Sequence, residues 1–325
     1  MIPSSLPSVQ IGSTEKRHSP LGMGCSFYGV SQWGGQQTDA ILDAMATALD
    51  NDITHFDTAE GYGKGESERL IGHFMASDNS RREKMFLASK ANLNDTTAQA
   101  MIEAIDASRS RLQTDVIDLY YIHWPRTGQD LRPMMEGLET AKQQGKIQAI
   151  GVSDFSVEQM QQVAEVGTID AHQLGYSLLW RFPERDIIPY CVENQIAVVV
   201  YSALAHGILA GKYQHKLAFD ADDQRWSILH FREDVWGYVY NSMMTFNEVA
   251  NRIEKPLSQL AIRWLLHQQG VTSVLVSAKN STQARMNAMA LQGDIPDSIM
   301  DELTSISDQA MRHIPDDGNP FGYHP

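Results

Sequence analysis

The sequence predicts an α/β fold in which eight parallel strands close into a (β/α)8 barrel. Two observations carry this. Eight short runs rich in Val, Ile and aromatic residues alternate with longer segments whose apolar residues recur every three or four positions, so strand alternates with amphipathic helix. No low-complexity linker divides the 325 residues, so the units are expected to form one domain over residues 1–325. A doubly wound open sheet is the alternative arrangement of the same units.

Taken in order, residues 8–20 are short, polar and turn-rich, and are expected to form a small hairpin ahead of the barrel. Strands are expected at 21–24, 53–58, 85–90, 116–123, 147–153, 171–177, 197–203 and 271–277. Helices are expected at 36–51, 66–75, 96–112, 131–144, 156–166, 186–194, 239–254 and 257–268. The third is typical, with Met101, Ile105, Ser108 and Leu112 on one stripe behind the capping candidates Asp95 and Thr96. Glycines at 145 and 270 end two of these helices. Two stretches break the rhythm. Residues 213–240 are charged and aromatic, as barrel lids often are. The tail after Pro296 adds an extra C-terminal helix and then a run over 315–325 rich in Pro, Gly, Asp and His.

Charge and cysteine content narrow the function. A net charge of −14 with no cluster of Lys and Arg excludes a surface built to coat nucleic acid. Cys25 and Cys191 lie far apart without metal-ligand spacing, which suits a reducing cytoplasm. The N-terminus lacks a basic, apolar leader, and no stretch has the ~18 apolar residues that span a bilayer, so a soluble cytoplasmic protein with no membrane partner is expected.

Barrel enzymes carry their chemistry at the C-terminal ends of strands. Asp57 lies near the end of the second strand, Tyr62 in the glycine-hinged loop after it, Lys90 at the end of the third and His123 at the end of the fourth. Asp57 alone could simply accept hydrogen bonds from its own Gly61-Tyr62-Gly63 turn. Together the four suit proton donation to a carbonyl oxygen. Lys90 would lower the phenol's pKa, Asp57 would hold Lys90 charged, and His123 would orient the carbonyl. His55 and Asp57 share one side of a strand, so a metal-dependent hydrolase is a competing reading.

Phe56-Asp57-Thr58-Ala59-Glu60-Gly61-Tyr62-Gly63 is similar to the signature of the aldo-keto reductases. Ala88-Ser89-Lys90 and Tyr121-Ile122-His123-Trp124-Pro125 resemble that family's next motifs in order. The likeness runs on through Gly151-Val152-Ser153-Asp154-Phe155, Gln173-Leu174-Gly175-Tyr176-Ser177 and Tyr201-Ser202-Ala203-Leu204 to residues 277–287, covering roughly 22–290. The resemblance implies a TIM barrel and an NADP(H)-dependent oxidoreductase, with NAD(H) the alternative cofactor. It implies Asp57, Tyr62, Lys90 and His123 as the catalytic tetrad, with Tyr62 as proton donor to an aldehyde, ketone or sugar. Ser153 and Gln173 would hold the nicotinamide carboxamide and Tyr201 would stack on its ring. Ser202, Leu204 and Lys212 would line the pyrophosphate, and Ser277, Lys279, Gln283 and Asn287 the adenosine end, where Lys279 could meet a 2′-phosphate. Ser26, after the first strand, and Asp57 complete the implied cofactor contacts. Three positions depart from the pattern: Asp154 stands for the usual Asn, Ala203 for Pro and Met286 for Glu. Some relatives are dinucleotide-binding accessory subunits of potassium channels, but those tend to carry Asn where His123 stands.

Gly22-Met23-Gly24-Cys25-Ser26-Phe27 lacks the last glycine of a dinucleotide fingerprint and is read as the end of the first strand. The pocket walls are expected from Phe27, Tyr28, Trp33, Trp124, Trp226 and Trp236. Arg126, with Arg225 or Arg232, is a candidate anchor for an anionic sugar or carboxylate.

Overall fold

The computed structural model describes residues 8–29, 38–78, 80–126, 128–220 and 223–323. Eight strands follow one another around a closed parallel barrel: β1 (Leu21–Gly24), β2 (His55–Asp57), β3 (Phe86–Ala91), β4 (Ile117–Ile122), β5 (Ile147–Ser153), β6 (Ala171–Gly175), β7 (Ala197–Tyr201) and β8 (Val271–Val276). β8 pairs back onto β1, with Gly22 opposite Leu275, so the open-sheet alternative is ruled out. Each expected strand is present, β1 and β5 with the bounds expected and the others trimmed or shifted by a few residues.

The outer layer contains α1 (Thr38–Asp50), α2 (Glu66–Ala76), α3 (Ser80–Lys84), α4 (Ala98–Leu112), α5 (Arg132–Gln143), α6 (Val157–Ala164), α7 (Ile187–Glu193), α8 (Glu233–Arg252), α9 (Leu257–His267), α10 (Ser281–Ala288) and the C-terminal α11 (Asp297–Met311). α4 is capped by Thr97, one residue later than expected, while Asp95 accepts from the Thr97 amide. α8 starts at Glu233 instead of 239, where Glu233 and Asp234 put negative charge on its first turn. Two helices escape the apolar period for physical reasons. α3 buries no residue, and α10 buries only Ala284 and Ala288 behind its Asn280 cap.

Strand alternation sorts the side chains into two cores. The outward-facing alternates, such as Leu87, Tyr120, Ile150 and Val200, join the helices, while Phe86, Ala88, Leu119, Tyr121, Ala149, Ala171, Val199 and Leu275 fill the barrel interior. The expected hairpin is reduced to a single antiparallel bridge, Val9 to His18, and Ile11 from it joins the interior cluster. Gly151 is required by close approach, since a Cβ there would lie 2.2 Å from the Tyr121 ring. Two residues further along the same strands, the interior turns polar. Among the described residues no helix is long and apolar enough to cross a membrane.

Candidate active site

The polar layer at the C-terminal ends of the strands follows from register. Gly24 pairs with Asp57, Asp57 with Ala88, Lys90 with Tyr121, and Ser153 with Gln173, so alternate residues deliver Asp57, Lys90, Ser153 and Gln173 into one mouth. Lys90 is fully buried; its Nζ donates to Asp57 Oδ1 and, at 2.8 Å, to the Thr58 carbonyl. Gln173 Nε2 donates to the other Asp57 oxygen at 2.9 Å. Burial raises the Asp57 carboxyl above its ordinary value, and the Lys90 charge and the hydrogen bonds from Lys90 and Gln173 oppose that rise. Burial works against the Lys90 ammonium, but Asp57 and the Tyr62 phenol outweigh it and hold its pKa above the ordinary value.

Tyr62 reaches this pair from a turn that three consecutive positive φ angles fold back on itself, 58° at Gly63, 54° at Lys64 and 85° at Gly65. A Cβ at Gly63 would sit 2.7 Å from the Gly29 carbonyl oxygen, so glycine is needed there twice over. The Lys90 Nζ lies 5.2 Å from the Tyr62 ring centre, and His123 meets the same ring edge to face at 5.6 Å. The expectation that Lys90 lowers the phenol is corrected in its net sign. Burial raises the Tyr62 pKa, with Lys90 only opposing it. Tyr62 remains partly accessible, and burial raises both its phenol and that of fully buried Tyr121. Burial first, and then the Lys90 charge, push His123 well below the usual imidazole range, so it is neutral.

The residues expected at the adenosine end form their own linked set. Asn287 Nδ2 donates to the Ser277 carbonyl at 3.3 Å, and Gln283 Oε1 accepts from the Lys279 amide at 2.9 Å. Burial lowers the Lys279 ammonium, and the charges of Lys212 and Arg225 lower it further, so three cations share this end. Ser202 is held at φ 55° with its hydroxyl 3.4 Å from His206 Nε2, beside Leu204, and Ser26 lies half-buried in the turn after β1. Carboxamide-type donors at one end and cations at the other fit a dinucleotide.

Asp154, the residue expected to be Asn, is buried at φ 54° and accepts from Tyr201 Oη at 2.9 and 3.1 Å. Its carboxyl is pushed up to about 7 by burial, against the hydrogen bonds from Tyr201, Asn319 and Ser153.

The aromatic wall differs from expectation. Tyr28 is fully buried with its hydroxyl on the Ala278 carbonyl, so it packs the core. Phe27 lies under the Lys279 ammonium, 5.5 Å away, at the adenosine end. Trp226 is exposed and packs on Phe219, and Trp236 is buried with its indole on the His215 carbonyl. Trp33 lies outside the described residues. Trp124 does stand at the mouth, 4.8 Å from Tyr323 and 6.0 Å from Phe321 of the tail. Phe321 also stacks on Tyr201 and meets His206, so the tail crosses the mouth. The signal for it in the sequence was Asn319-Pro320-Phe321-Gly322-Tyr323, two aromatics in an otherwise polar run. The anion anchor is not assembled. Arg126 is exposed, Arg225 is paired with Asp223, and Arg232 bridges Asp234 and Asp317. Nor do His55 and Asp57 act as a pair, because His55 Nδ1 faces Ser273 Oγ at 3.1 Å while Asp57 serves Lys90 and Gln173. Among the described residues no group of three metal-ligating side chains converges.

Comparison with known proteins agrees with this arrangement. The pattern that defines the Aldo/keto reductase family matches residues 20–308. Aldo-keto reductase YhdN of Bacillus subtilis (strain 168) is 33% identical over 285 residues, covering 84% of this chain and 85% of the relative. The NADH-specific methylglyoxal reductase of Escherichia coli (strain K12) is 27% identical over 316 residues, covering 90% and 96%. Among solved structures, glycerol dehydrogenase AKR11B4 from Gluconobacter oxydans superposes with a TM-score of 0.85 at 28% identity, covering 95% of this chain and 96% of that one. With the family pattern spanning most of its length, the chain belongs to the aldo/keto reductase family of oxidoreductases.

Proposed function

We propose that the protein reduces the carbonyl of an aldehyde, ketone or sugar with NADP(H), NAD(H) being the alternative, and that Tyr62 gives the proton. The observation that carries this reading is Lys90, buried between the Asp57 carboxylate and the Tyr62 ring, with neutral His123 edge to face against that ring. When bound, the dinucleotide supplies a hydride to the carbonyl carbon, or takes one up in the reverse direction. Tyr62, with its raised pKa, is protonated at neutral pH and can serve as the acid. Lys90 stabilises the phenolate left behind, and Asp57 keeps Lys90 charged for that purpose. His123 is a neutral donor suited to orient the carbonyl oxygen and to strengthen its bond as charge develops there. Ser153, Gln173 and Tyr201 are assigned to the nicotinamide end; Ser26, Ser202, Leu204, Lys212, Ser277, Lys279, Gln283 and Asn287 are assigned to the phosphates and adenosine. The Lys212, Arg225 and Lys279 grouping supports a phosphorylated ribose.

The mouth, walled by Trp124, Phe321 and Tyr323 and without an assembled arginine anchor, suits an uncharged substrate. Relatives named for methylglyoxal and glycerol favour short carbonyls and polyols. The test is a panel of methylglyoxal, glyceraldehyde, sugars and sugar acids with NADPH and with NADH, following cofactor absorbance. Turnover is expected with uncharged carbonyls. Tyr62→Phe is expected to keep dinucleotide affinity while losing roughly 10²-fold or more in turnover. Dinucleotide binding with no turnover on any carbonyl would instead identify a binding module.

A further inference from the structure

We propose that Glu68, a fully buried acidic residue behind the active site, is a positioning residue that clamps the turn carrying Tyr62 against the strand carrying Lys90.

Glu68 lies in the first turn of α2, directly after the Tyr62–Gly65 turn, and the Gly65 N-cap has no side chain with which to fix that helix start. A carboxylate shut away from water destabilises a fold unless both oxygens are bonded. Both are. Oε1 accepts from Ser89 Oγ and Oε2 from Arg111 Nε, each at 2.5 Å. Apolar side chains of the same volume would fill the site without that desolvation cost, so the pair calls for a use beyond stability.

The places of its two partners supply one. Ser89 precedes Lys90 on β3, and strand alternation turns Ser89 outward to α2 while Lys90 faces the mouth. Arg111, in the last turn of α4, fills the space beside Gly65, where a Cβ would lie 2.7 Å from Arg111 Cδ and 2.9 Å from its Nε. The guanidinium is held at its far end too. Nη2 donates to Ser108 Oγ at 3.2 Å, and Ser108 meets Tyr120 Oη of β4 at 3.0 Å. A Cβ on Gly72 would lie 2.5 Å from the Arg111 carbonyl oxygen, so α2 is packed close against the end of α4.

Ser67 makes a second tie of the same kind. Its Oγ accepts from Thr58 Oγ1 at 2.8 Å and donates to the Cys25 carbonyl at 2.9 Å, and Thr58 is the residue whose carbonyl receives Lys90 Nζ. The start of α2 is therefore bonded to the residue after Asp57 and to the residue before Lys90. A left-handed backbone is unfavourable at Lys64, so the turn that presents Tyr62 persists by being held at its ends. The spacing of Tyr62 and Lys90 is thus set from behind the mouth. Its catalytic meaning rests on the proposed reductase reading, in which Tyr62 is the acid.

Two measurements keep the clamp distinct from that reading. Hydrogen exchange of amides 62–66 in the ligand-free protein needs no turnover; there the Tyr62 amide donates to the Ala59 carbonyl at 3.1 Å and the Lys64 amide to the Gly61 carbonyl at 3.3 Å. Glu68→Ala is expected to lower their protection several-fold while the amides of β3 and β4 keep theirs. In the same variant kcat and kcat/KM, per folded enzyme, are expected to fall together by roughly tenfold or more, with dinucleotide Kd nearly unchanged. A merely structural role would lower the melting temperature and leave kcat of the folded enzyme alone. Glu68→Gln is expected to restore most of both signals, because its carbonyl oxygen can accept from Arg111 and its amide can donate to Ser89 Oγ. Ser89→Ala, which removes one donor and leaves the Arg111 contact, serves where Glu68→Ala does not fold, with a smaller loss in the same direction. Wild-type protection at 62–66, or wild-type kcat, in the folded variant would overturn the clamp. If the wild type reduces no carbonyl, the reductase reading fails and the exchange result alone decides the clamp.

Discussion

Asp57 accepts hydrogen bonds from Lys90 and Gln173 at once, and Lys90 is fully buried behind it. Removing one partner of such a pair leaves a charge with no compensation in low dielectric. Asp57→Asn is therefore expected to destabilise the fold by about 3 kcal/mol or more, seen as a lower denaturation midpoint, and to reduce turnover as well. A variant as stable as wild type would show that the pair carries little of the mouth's integrity. At this scale the positions of Asp57, Lys90 and His123 were legible because each closes an apolar run, and that of Tyr62 because it sits in the glycine-hinged loop that follows. What could not be read was burial. The sign of the Tyr62 shift depends on how much water the phenol loses, and Phe27 and Tyr28 could not be told from wall residues because an aromatic side chain suits a core equally well.

Among the elements, the strands were the easiest to see, since their period of two and β-branched content are local properties. Helices α3 and α10 lack an apolar stripe, and the tail's docking depends on contacts with residues 118 and 198 positions away. No local pattern encodes those. Among the described residues of 213–240, Tyr213, Phe219, Phe231 and Trp236 pack on one another and Arg225 lies beside Lys279. The packing of β5 against β4 gives the element-scale prediction. Gly151→Ala would place a methyl group in the Tyr121 ring, and overpacking of this kind costs about 1–3 kcal/mol. Chemical denaturation should show that loss, and unaltered stability would mean that Tyr121 has room to move.

For the whole molecule, acid should be the more damaging direction. Burial lowers His18, His172 and His230 to about 4 and His206 to about 3, so all four are neutral in the folded protein. The unfolded chain takes up their protons from about pH 6.5 downward, and stability is lost as pH falls from there toward about 4. Asp154 acts oppositely, because its raised folded value makes the protein gain from protonation between about 7 and its ordinary carboxyl range. Four histidines outweigh one carboxyl. The melting temperature is expected to fall by at least several degrees between about pH 6.5 and about pH 4. A flat profile would mean that these imidazoles reach water.

The tail lies over a mouth whose eight strands all precede it in the chain. A ribosome therefore finishes every strand that feeds the polar layer before it makes the residues that roof it. Descendants of this gene could exchange this tail and inherit the polar layer intact, acquiring a new molecular diet through the roof alone.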